Sequence, residues 1–172
     1  MKLKTLLFVL MLGFTFVNCS SSDDENTPPV TPEESSATAT ITLDDGQVLN
    51  FISTYNSNIA LADQMFGLGL LNTNSGMYIY MMIMSNEDLA PGTHDGYIKV
   101  SQLDRSDIID ESYDSHYNTN PETDEEGSST LTITAMGNNR IKGTFSGILY
   151  SASGKTLLVE DGVFDVIIDN SL

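Results

Sequence analysis

An all-β fold, an antiparallel sandwich or a small barrel-like meander of roughly eight to ten strands, is predicted by two observations. Past residue 38 the apolar residues fall in short runs, several of them alternating, and no window shows a convincing 3.6-residue period. Gly, Asn, Asp and Ser interrupt these runs at short intervals, which suits tight turns and pairing of consecutive strands.

The region before residue 38 has another character. Lys2 and Lys4 precede an apolar stretch from Leu6 to Val17, broken only by Gly13 and Thr15. A positive start followed by a short apolar run reads as a secretory signal over residues 1–18. A permanent helical span needs about 20 apolar residues, more than this stretch offers. The run ends at Cys19, the single cysteine of the chain. The segment Phe16-Val17-Asn18-Cys19 resembles the lipobox of bacterial lipoproteins, with Phe16 where Leu is common and Asn18 where a smaller residue is usual. That resemblance implies acylation of the Cys19 thiol, cleavage just ahead of it, and attachment to the membrane through lipid. Each buried methylene contributes about 0.8 kcal/mol, so several acyl chains hold where one binds only reversibly. With Cys19 used, the mature domain has no cysteine for a disulfide and depends on its apolar core.

From Ser20 to Thr38 the residues are mostly Ser, Asp, Glu, Pro and Thr, too polar to compensate the entropy of ordering, so residues 19–38 read as a tether. The cluster Ser20-Ser21-Ser22-Asp23-Asp24-Glu25 resembles the surface-export signal of Bacteroidetes-type lipoproteins, with an ordinary acidic linker as the alternative. A single domain is then expected over 39–172. Without the signal, five basic residues face 24 acidic ones, a net charge near −19. Such a surface repels nucleic acid and anionic lipid and favours solubility.

Within the domain, Ala39 to Leu43 and Gln47 to Phe51 flank Asp44-Asp45-Gly46, a hairpin turn supplied with positive φ by Asp-Gly. Ile59 to Ala62 and Phe66 to Leu71 read as strands. Met77 to Met84 is apolar at nearly every position, as in a strand buried on both sides or covered by a neighbouring loop. Tyr97 to Leu103 follows the break at Pro91-Gly92. Thr130 to Ala135 alternates strictly, placing Leu131, Ile133 and Ala135 on one face. After the turn at Gly137-Asn138-Asn139, Gly143 and Gly147 flank Phe145, a spacing that predicts close backbone approach to a buried ring. Asp161-Gly162 marks a bulge or kink before Val163 to Ile168 closes the domain.

Residues 104–126 form the most polar stretch of the domain, with nine carboxylates. Asp104, Asp107, Asp110, Asp114 and Asp124 are candidate ligands for a hard cation such as Ca²⁺, which takes six to eight oxygens. An EF-hand is excluded by spacing: a start at Asp114 puts Thr119 where Gly is required, and a start at Asn118 fails at both key positions. A solvated acidic loop is the simpler reading of the same composition. Tyr113, His116 and Tyr117 are candidate ligand-binding residues, an aromatic patch able to stack on a sugar, with Tyr97 nearby. His94 reads as a turn residue. Met77, Met81, Met82 and Met84 read as core packing rather than Cu(I) ligands. Gly154-Lys155-Thr156 lacks the first glycine of a phosphate loop, and neither a Gly-x-Ser-x-Gly elbow nor a cysteine nucleophile is present.

The series Ile141 to Gly147 and Asp161 to Val166 resembles the closing hairpin of small Bacteroidetes-type β-rich lipoproteins of unknown function. There an alternating threonine strand, a Gly-Thr-Phe-Ser strand and a Gly-x-Phe strand recur in this order. The resemblance implies a β fold and a cell-envelope location at the outer membrane, and brings no activity with it. The expectation is a non-enzymatic, monomeric, lipid-anchored binding or structural module, without cofactor or nucleic-acid partner, whose partner is the membrane through Cys19. A carbohydrate- or Ca²⁺-binding accessory domain using residues 104–126 is the alternative, and a glycan-active enzyme with paired carboxylates a third.

Overall fold

The computed structural model describes residues 35–102, 109, 111–120 and 122–168, with side chains undescribed over 57–62. Cys19, Asp104, Asp107 and Asp110 therefore lie outside the described residues.

The described residues are all-β and antiparallel, with ten strands. They are β1 (Ser36–Leu43), β2 (Val48–Ile52), β3 (Tyr55–Ala62), β4 (Met65–Asn72), β5 (Met77–Met84), β6 (Gly92–Gln102), β7 (Tyr113–Asp114), β8 (Ser128–Gly137), β9 (Arg140–Ser151) and β10 (Thr156–Ile167). The order across the sheet is β2-β1-β10-β9-β7-β6-β5-β4-β3, with β8 pairing both β6 and β9. β7 and β8 each pair with both β6 and β9, so these four strands form a closed circuit of pairings, with the other strands outside it. The sheet also curls over on itself. Phe66 on β4 stacks on Phe164 on β10 with ring centroids 5.8 Å apart, although four strand rows separate those strands in the sheet. At one end the chain crosses from the β2 edge to the β3 edge in two residues, Ser53 and Thr54. The enclosed face is the core, built on Ile41, Phe51, Leu68, Ile79, Ile98 and Phe164, among others.

The turns follow from their residues. Gly46 takes a φ of 83° at the end of a three-residue loop, so one positive φ, rather than two, closes the first hairpin. Asn138 and Asn139 take φ of 52° and 57° in a two-residue turn whose twist matches the strands they join. Asp161 lies at φ 51° in the bulge between Val159 and Gly162, as its sequence predicts. Gly143 faces the core beneath Phe164: a Cβ there would lie 2.5 Å from the Phe164 ring and against the Thr132 carbonyl.

Several expectations are corrected. β1 begins at Ser36, inside the span read as tether, because Ala37 buries its side chain and Ser36 to Thr38 pair with β10. His94 lies within β6, opposite Leu131, because that strand starts at Gly92, as soon as Pro91 is passed. Ala135 is exposed, because a bulge between Ile133 and Ala135 reverses the alternation that buries Leu131 and Ile133. Along β5 the residues alternate: Met77 and Met81 enter the core, whereas Met82 is half-buried and Met84 exposed on the outer face.

Candidate functional site

The register of β7 and β8 explains how the outer face of β5 and β6 acquires a cleft. Lys99 and Val100 on β6 face Asp114 and Tyr113, and His94 and Asp95 face Leu131 and Thr130. On the other side, Tyr150 and Ser151 of β9 face the same β7 residues, and Ile148 faces Ser128. Both ladders are displaced by the same 12 residues, so β7 and β8 occupy one strand row from which Ser115 to Glu126 are looped out. Looping out twelve residues, an even number, keeps the alternation in phase: Tyr113 and Leu131 both enter the core, while Ser128 and Thr130 are exposed.

The departure point is held by hydrogen bonds. The Ser115 amide donates to the Ile98 carbonyl at 3.1 Å, while the Ile98 amide donates to Ser115 Oγ at 3.1 Å, where the departing main chain no longer offers a carbonyl. Ser115 Oγ also lies 3.0 Å from His116 Nδ1 and 3.1 Å from Ser129 Oγ. Ser115 is buried, so this hydroxyl holds the backbone rather than attacking a substrate. Asp114 Oδ1 accepts the amides of His116, Tyr117 and Asn118 at 3.2, 2.6 and 3.1 Å, and Oδ2 accepts Asn118 Nδ2 at 2.8 Å. Asn118 Nδ2 further donates to the Tyr150 carbonyl at 3.0 Å. The loop returns through a bridge between Thr119 and Glu126, with Asp124 in the left-handed region at its tip.

This loop folds over Tyr97, which β6 directs outward beside Met82. His116 and Tyr117 meet the Tyr97 ring edge to face, with centroids at 5.8 and 5.7 Å, and Tyr80 does so from β5 at 6.0 Å. Burial, then the nearby Asp114 carboxylate, push the Tyr97 hydroxyl up to about 12, so it stays protonated across the neutral range. Between loop and sheet lies a cleft of about 520 Å³, within the usual size of small-molecule sites. Its walls are Met82 and Met84 from β5, Asp95 and Tyr97 from β6, and His116, Tyr117 and Glu126 from the loop.

Of the residues singled out in the sequence, His116 and Tyr117 share this cleft, with Tyr97 between them. Tyr113 does not: it is buried, because its place in β7 turns it into the core. Asp114 is likewise buried and spends both oxygens on the loop backbone and Asn118, while Asp124 sits at the exposed loop tip. No group of three or more His, Cys, Asp or Glu side chains able to hold a metal ion is found among the described residues. Asp95, Glu126, Met82 and Met84 were not legible as site residues. The alternation along Met77 to Met84 carried a partial signal, since it places Tyr80, Met82 and Met84 on one face. No protein-family model matches the chain, and no curated protein or solved structure shows significant similarity to it.

Proposed function

We propose that this chain is an exported, lipid-anchored cell-envelope protein, attached through Cys19 at the outer membrane and displaying a non-catalytic binding domain whose site is the cleft around Tyr97. The observation that carries the binding reading is the looped-out segment 115–126. Four hydrogen bonds to Asp114 hold it over aromatic side chains on an otherwise regular sheet, the way loops on a rigid scaffold present ligand contacts. The cleft does hold two carboxylates, Asp95 and Glu126, but both are exposed. General acid catalysis at neutral pH calls for a carboxyl kept protonated by burial, whereas open carboxylates suit recognition. The anchor reading rests on the lipobox-like segment and the polar stretch after it.

Two measurements test the proposal. A Cys19→Ala variant is expected to leave the detergent phase and appear with soluble proteins; retention in membranes equal to the parent would overturn the anchor. For the site, nuclear magnetic resonance shifts confined to Tyr97, His116 and Tyr117 on ligand screening support the cleft. Perturbations located elsewhere on the sheet would remove it.

A further inference from the structure

We infer that the cleft around Tyr97 recognises an organic cation, an ammonium or guanidinium group, in preference to a neutral or anionic ligand. The inference rests on the binding reading above and names the ligand class of that site.

Three features of the cleft converge on positive charge. Its charged walls are both carboxylates, Asp95 on β6 and Glu126 on the loop, and no Lys or Arg among the described residues lines it. Lys99, the next outward position on β6 after Tyr97, stands directly across from Asp114 and outside the cleft walls. The second feature is aromatic. The Tyr97 ring is met by three rings inclined to it at 64° to 69°, and Tyr117, one of them, stands largely exposed in the cleft wall. Ring faces carry the negative part of the aromatic quadrupole and attract a cation placed over them. The third is the floor, where Met82 and Met84 supply polarizable thioethers rather than hydrogen-bond donors.

The charge of the walls disfavours an anionic ligand. An anionic sugar or phosphate would meet two carboxylates inside a chain of formal charge −17. That overall field draws cations toward the surface and repels anions.

The test uses the full chain and its tyrosine emission, since the sequence holds no tryptophan. The probes are choline, N-acetyl-lysine amide, N-acetyl-arginine amide, the neutral choline isostere 3,3-dimethylbutan-1-ol, and methyl glycosides. Saturable binding of at least one cation is expected, with the neutral isostere at least tenfold weaker. Tightest binding of choline identifies a free quaternary amine as the source; tightest binding of a lysine or arginine derivative identifies a basic polypeptide side chain. Either result supports the inference. Tyr117→Ala, at a position 82% exposed and so outside the core, should weaken binding at least tenfold, and Asp95→Asn with Glu126→Gln should do the same. Equal binding of the neutral isostere, or binding of glycosides alone, would overturn the cation inference and leave the binding reading standing. If neither cations nor glycosides bind, the cation inference falls, and with it the binding reading of this cleft.

Discussion

Asp114 and Tyr97 show how single side chains set the site. Asp114 was legible as a carboxylate in an acidic stretch, and its composition there suggested a cation. Its position at the end of β7 instead gives it three backbone amides and one side-chain amide to accept, so it acts as the clasp of the loop. Removing a buried acceptor strands its donors at about 1–3 kcal/mol. Asp114→Ala should therefore cost about 2 kcal/mol and lower Tm by roughly 4–8 °C in thermal unfolding. Tyr97 carries a pH signature. Its hydroxyl is pushed up to about 12 from the ordinary 10.0, chiefly by burial. The folded chain thus keeps a proton that the unfolded chain releases, and this contribution to stability is full below pH 10 and lost as pH rises toward 12. Absorbance titration at 295 nm should resolve one late tyrosine, and Tyr97→Phe should abolish that step and flatten the stability loss in the same window. At the acid end, Arg140 and then Lys142 hold the Asp165 carboxyl below its usual range. Its contribution is present above the ordinary carboxylate range and fades as pH falls through it.

The strand row shared by β7 and β8 decides the site among the elements. In the sequence, the residues before Ser115 and after Glu126 belong to different runs, and nothing in their periodicity says that they continue each other. The identical displacement of two ladders says so. Excising Ser115 to Glu126 so that Asp114 joins Gly127 should leave a continuous strand with its inward and outward residues in phase. Circular dichroism of that variant should keep the β signature and a cooperative melt, and the cleft should lose its ligand. A chain that fails to fold would show that the loop is part of the scaffold. The regular strands were far more legible. Strict alternation located Leu131 and Ile133 in the core, and Gly143 beside Phe145 announced the close backbone approach that the Phe164 ring exploits. Bulges escaped notice where no glycine announces them, so Ala135 was expected inside and lies outside.

Charge acts on the molecule as a whole. The domain over residues 39–172 holds 19 acidic and 5 basic residues, and this excess negative charge repels itself, which opposes the compact state and raises the local concentration of cations. Raising ionic strength from about 0.01 to 0.15 M shortens the screening length from about 30 to 8 Å, and Tm should rise over that range. A flat response would mean that the carboxylates are spaced widely enough to ignore one another. The same screening should weaken cation binding at the cleft, so melting and affinity move in opposite directions with salt.

By itself, the sequence determined that the domain is antiparallel β, where most turns fall, and which alternating residues enter the core. These follow from local spacing: a period of two fixes side-chain direction, and Gly, Asn and Asp fix reversals. Only the tertiary structure decided that Tyr113 faces inward, that His116 and Tyr117 meet Tyr97, and that Asp95 and Glu126 share one cleft. Those groups come from three segments, and their meeting depends on ladder register between strands distant in the chain. Register is a long-range property: a displacement of one residue turns every side chain of a strand to the opposite face, and no local pattern of residues records it.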